Sequence, residues 1–165
     1  MIFIYIFIIF NIEEYNIEAI IEIKGSSPGL SDYSQSNIPA LMNYIKSQGM
    51  WEHSVILCGI KKIVTAIRDY GYNDIPVQYL VNSCDSQDAL DFCIANKADL
   101  STNVTYGGSN SDSWLKKFKD AGCKISVWTF SSQTKEGYNQ VQTWINKGVD
   151  YVTCDCHDMT KLTLK

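Results

Sequence analysis

From about Ala19 onward, short apolar runs alternate with amphipathic stretches. The runs are Ala19–Lys24, Ser54–Gly59, Val77–Val81, Ala98–Ser101, Lys124–Phe130 and Asp150–Cys154, each four to seven residues long. Most are rich in Val, Ile and aromatic side chains, and that length and composition predict strands. Between them, apolar residues recur at i, i+3, i+4 and i+7. Ile38, Leu41, Met42 and Ile45 do so before Gly49, and Ile60, Ile63, Val64 and Ile67 before Gly71. Leu90, Cys93 and Ile94 continue the pattern, followed by Trp114, Leu115 and Phe118 before Gly122, and by Tyr138, Val141, Trp144 and Ile145 before Gly148. These stretches predict helices, with glycine as their usual stop.

Strands that alternate with helices of this length predict βαβ units in a parallel sheet, because a parallel pair needs a long crossover connection. About six such units are present, with no Pro/Gly/Ser-rich linker between them, so residues 19–165 are predicted to form one domain. Residues 1–18 form an apolar N-terminal extension. Its first ten residues, MIFIYIFIIF, are too few for a bilayer-spanning helix, which takes about 20 apolar residues, so no membrane span is expected. The stretch also lacks the basic region and small-residue cleavage site of a signal peptide. Its β-branched and aromatic content suits a buried strand; residues added ahead of the true domain by a misassigned start are the alternative.

Six βα units fit either a doubly wound open sheet or an incomplete (β/α)8 barrel of the TIM type. The doubly wound fold predicts a glycine-rich phosphate turn after its first strand, and Gly25-Ser26-Ser27-Pro28-Gly29 is not GxGxxG. The barrel predicts polar residues at the carboxyl ends of its strands. Glu22, Lys24, Thr102, Trp128, Thr129 and Asp155 fall there. The fold class expected is therefore α/β, an incomplete (β/α)8 barrel.

Glu22 and Lys24 are two residues apart in a strand, so they share a face while Ile21 and Ile23 take the other. Two charges aimed into a barrel are costly unless they meet a metal, an anion or each other. The run Ile21-Glu22-Ile23-Lys24 is similar to the EIK strand of the glycerophosphodiester phosphodiesterase family. Ile125-Ser126-Val127-Trp128-Thr129 resembles that family's penultimate barrel strand, and Gly148 to Asp155, GVDYVTCD, resembles its last. The resemblance covers roughly Ile20 to Leu164, the C-terminal portion of such a barrel. It implies a metal-dependent hydrolysis of glycerophosphodiesters to an alcohol and glycerol phosphate. Glu22 would be a ligand to a divalent cation, calcium or magnesium. Lys24 would approach the substrate phosphate, and Trp128 would lie against the organic part of the substrate; a plain ion pair and a core tryptophan are the structural alternatives. Asp155 would be structural more than catalytic.

The family's His-Arg, Glu-Asn and Glu-x-Asp motifs and its further histidine have no counterpart before Glu22. The two histidines present are His53, which precedes its strand, and His157, which matches no catalytic position. The resemblance thus implies a truncated or degenerate form of the enzyme whose single family carboxylate does not hold the cation tightly. A catalytically inactive barrel module for binding or assembly is the alternative. Open sheet edges lead to an expectation of self-association, with Met1–Phe10 pairing against the strand at Ile20–Lys24 or that at Asp150–Cys154.

Charge and cysteines narrow the partners. A net charge of −4 and scattered lysines leave no basic stripe for nucleic acid. Six cysteines without a CxxC pair are expected to be mostly reduced, buried thiols, with Cys154-Asp155-Cys156 a weak zinc signal. Reduced thiols favour a soluble, cytoplasmic protein.

Overall fold

The computed structural model describes residues 3–10, 17–24, 36–104, 110–130, 134–155 and 158–163. Every apolar run named above forms a strand, and the N-terminal stretch adds another. The strands are β1 (Phe3–Phe10), β2 (Ile17–Lys24), β3 (Ser54–Cys58), β4 (Val77–Val81), β5 (Asp99–Asn103), β6 (Ile125–Phe130) and β7 (Tyr151–Cys154). The five described α-helices are α1 (Ile38–Ser47), α2 (Lys61–Asp69), α3 (Gln87–Asn96), α4 (Asp112–Asp120) and α5 (Lys135–Asn146). The glycines expected to stop helices, Gly49, Gly71, Gly122 and Gly148, all have positive φ. At Gly122, φ is 83°, a left-handed turn that a side chain would strain.

The chain divides into two compact units, Met1–Leu80 with Ala95–Ala98, and Val81–Ile94 with Asp99–Lys165. In the first, the strands follow chain order: β2 pairs in parallel with β3, and β3 with β4. In the second, β5 pairs in parallel with β6, and β6 with β7. Parallel strands adjacent in chain order and separated by helices are the repeat of a (β/α)8 barrel, here an incomplete one. β1 breaks the repeat. It pairs antiparallel with β2 over its whole length, from Phe3 opposite Lys24 to Phe10 opposite Ile17. Of the two partners expected for this segment, β2 is the one it takes.

In the first unit the register decides what each face holds. Ile20 lies beside Val55, Glu22 beside Leu57, and Leu57 beside Gln78. Ile20, Val55 and Leu57 form a buried cluster against Leu80. The opposite face buries Ile21, Ile56 and Val77. All five residues of β3 are buried, as expected for a parallel strand covered on both sides. α1 contributes Ile38, Met42 and Ile45 to the core, and α2 contributes Ile63, Val64 and Ile67.

In the second unit, carboxylates tie the starts of the strands. Asp99 accepts the Lys124 backbone N–H at 2.8 Å, and Asp150 accepts that of Ile125 at 2.8 Å. The amides of Lys124, just before β6, and Ile125, its first residue, are thus held by carboxylates at the start of β5 and just before β7. Phe118 and Leu115 of α4, with Tyr138 and Val141 of α5, complete this unit's apolar contacts.

Arg68, at the end of α2, ties the connections of the first unit together. Its guanidinium donates to the carbonyls of Tyr72 and Ile75 in the loop before β4. It also donates to those of Asn96 at 2.8 Å and Lys97 at 2.9 Å. Lys97 has φ 48°, a left-handed position commonly given to glycine, and the Arg68 fork holds the carbonyl on each side of that turn's start. Arg68→Ala should therefore lower stability by about 2–3 kcal/mol, since several carbonyls lose one charged donor. Arg68→Lys should recover little, because an ammonium lacks the planar fork. Urea denaturation checks this, and a loss under about 1 kcal/mol for Arg68→Ala would contradict the clamp.

Candidate functional site

The polar side chains expected at the carboxyl ends of strands are found there. At the end of β2, Lys24 Nζ lies 3.4 Å from Glu22 Oε2. Glu22's side chain is 15% exposed and that of Lys24 is 47% exposed. The difference follows from their positions: Glu22 sits beside Leu57 on the apolar face, and Lys24 is the strand's last residue. The carboxylate is sheltered and the ammonium reaches outward from it. Gly59, just past β3, leaves room nearby, since a Cβ there would lie 3.3 Å from the Leu80 carbonyl oxygen. Glu22 also acts on the neighbouring strand: Cys58 titrates at about 11, raised first by burial and further by the Glu22 charge.

Trp128 stands on β6 in the second unit, in register with Asn103 of β5 and half-buried. Its indole N–H is buried without a hydrogen-bond partner. Ser101 and Ser126, also in register and on the same face, are each 1% exposed, and the Ser101 hydroxyl is likewise unpartnered. The carboxyl-end loops of this unit are bound more completely. Asn110 accepts from the Thr102 hydroxyl at 2.6 Å and the Cys84 N–H at 3.2 Å, and donates to the Asn103 carbonyl. Asp85 accepts from the N–H and hydroxyl of Ser111 at 2.9 and 3.1 Å. Thr102, expected at a strand end, thus anchors a loop. Cys84 beside it is pushed up to about 12 by burial, with the Asp85 contact adding to the shift.

Asp155 follows β7 and is exposed. His53 ends a short 3-10 turn before β3 and is also exposed, on the side of the strand away from Glu22. His157, Cys156 and the Gly25–Gly29 turn lie outside the described residues. Cys58, Cys84, Cys93 and Cys123 are buried, and Cys154 is half-buried. Among the described residues, no three His, Cys, Asp or Glu side chains gather to hold a metal ion. Glu22, with an ammonium as its ion-pair partner, does not form a calcium or magnesium site with them, because such ions take six or more oxygens. No described helix is long and apolar enough to cross a membrane.

One residue of this face was missed in the sequence. Gln78 of β4 is fully buried, and both its amide nitrogen and oxygen lack a partner. It lies beside Leu57 and two residues before Leu80, so it shares the face of Ile20 and Glu22. The available signal was a lone glutamine at an inward position of an apolar run.

These features define a class, an α/β protein built on part of a (β/α)8 barrel. Solved structures that resemble this one include glycerophosphodiester phosphodiesterases. The enzyme from Parabacteroides distasonis matches with a TM-score of 0.64 at 15% identity, over 86% of this chain and 55% of its own. A phosphodiesterase from Oleispira antarctica, solved with the product sn-glycerol-3-phosphate, matches with a TM-score of 0.65 at 15% identity, over 88% of this chain and 54% of its own. The chain therefore spans about half the length of the structures it resembles. No family profile and no curated protein sequence matches it.

A buried amide with neither end bonded costs about 1–3 kcal/mol, whereas an apolar side chain of similar size in its place would not. Gln78→Leu should therefore raise stability by about 1 kcal/mol or more in urea denaturation. A loss of that size would show that the amide is satisfied in solution.

Proposed function

We propose that this chain is the phosphate-gripping part of a barrel of the glycerophosphodiester phosphodiesterase type, binding a phosphodiester and not turning it over alone. Lys24 contacts a phosphate oxygen. Glu22 orients that ammonium. The observation that carries this reading is the 3.4 Å Glu22–Lys24 pair at the carboxyl end of β2. That end is where barrels of this class place their chemistry. The product complex of the Oleispira antarctica phosphodiesterase supports a glycerol phosphate ester as the ligand class.

The pair is suited to binding. A sheltered carboxylate holds a more exposed ammonium, and an arriving oxyanion gains a donor already fixed in direction. Catalysis asks for more. Hydrolysis needs groups that exchange protons with nucleophile and leaving group; His53 stands before β3, at the far end of that strand from Glu22, and His157 lies outside the described residues. A second reading is a barrel module kept for binding or assembly without any turnover; among the described residues no three metal-binding side chains gather.

Titration with inorganic phosphate, followed by amide chemical shifts, tests the proposal. The expected affinity is about millimolar, with shifts centred on residues 20–24, and Lys24→Ala should weaken it about tenfold or more. Stability should change by less than about 0.5 kcal/mol, as for an exposed side chain. Identical titrations for parent and variant would overturn the assignment of Lys24.

A further inference from the structure

β1 is where the chain departs from the βα repeat, and it ends its sheet with β2 as its described neighbour. In an antiparallel ladder, each strand directs half its N–H and C=O groups to one side and half to the other. The groups β1 turns away from β2 therefore need water or another strand. Proteins that keep such an edge to themselves blunt it with lysine, proline, a bulge or a short strand. β1 has none of these: FIYIFIIF contains no charge, no proline and no glycine, and it pairs with β2 without a bulge.

We infer that β1 is a dimerisation strand, through which two copies of this chain join their sheets by antiparallel β1–β1 pairing about a two-fold axis. Charge favours a second copy as the occupant. The whole chain carries −4, so two copies repel over most of their surfaces, but residues 3–10 carry no charge and can meet without opposing like charges. Length favours it as well. The eight residues of β1 extend over about 27 Å, a ladder long enough to fix one register. The terminal strand of the second unit, β7, offers four residues. Pairing β1 with β1 is isologous and closes as a dimer, whereas β1 with β7 is a heterologous contact. Full-length pairing places Ile6 of one copy opposite Phe7 of the other.

Sedimentation or light scattering of the full chain at micromolar concentration tests the inference. A dimer is expected for the parent. The I6K and F7E variants should each weaken it by about tenfold or more, because each sets an unpaired charge opposite an apolar residue at the centre of the ladder. Mixed in equal amounts, the two variants should dimerise again, since opposite charges then face each other across the strands. That recovery separates pairing from misfolding. A monomeric parent, a dimer untouched by I6K, or a mixture that stays monomeric would each overturn it.

Discussion

A strand paired in parallel on both sides has no edge open to water, and in this fold neither face is open either. β3 is that strand: Ser54 to Cys58 are all buried. Its register with β2 and β4 sorts the side chains of the first unit. One face gathers Ile20, Val55, Leu57 and Leu80, and the other takes Ile21, Ile56 and Val77. Polar groups can then appear at low cost only where this cover ends, at the carboxyl ends of the strands. Glu22 and Lys24 stand at that limit, on the apolar face but at its rim.

That position makes stability a poor explanation for the pair. Taking a carboxylate out of water costs several kcal/mol, and an ion pair with a half-exposed lysine returns little of it. Apolar residues at both positions would extend the Ile20–Leu57 cluster instead. The same reasoning applies to Gln78, a fully buried amide with no partner, and to the bare indole N–H of Trp128. Buried polar groups without a partner cost free energy that apolar residues at the same positions would not. A phosphodiester is the ligand class proposed above for the Glu22–Lys24 pair.

Much of this was legible in the sequence, for local reasons. The strands announced themselves as β-branched runs, and four helices stopped at glycines that do take positive φ. The shared face of Glu22 and Lys24 followed from strand parity alone. The direction of β1 was also within reach, because six residues separate it from β2, too few for a parallel crossover. Other features were hidden for a physical reason. Arg68 bonds to four backbone carbonyls, which leave no trace in the side chains around them. Gln78 needed the β3–β4 register to reveal its isolation, and Asn110 needed the Thr102 and Cys84 contacts to appear as a loop anchor. Non-local pairings of this kind have no sequence period.

The central claim is that the Glu22–Lys24 pair serves a ligand and not the fold. The Glu22→Gln/Lys24→Met double variant tests it directly, with urea denaturation and phosphate titration performed on the same preparation. The account predicts stability equal to or above the parent's, together with loss of phosphate binding. A loss of about 2 kcal/mol or more, with phosphate binding retained, would contradict it.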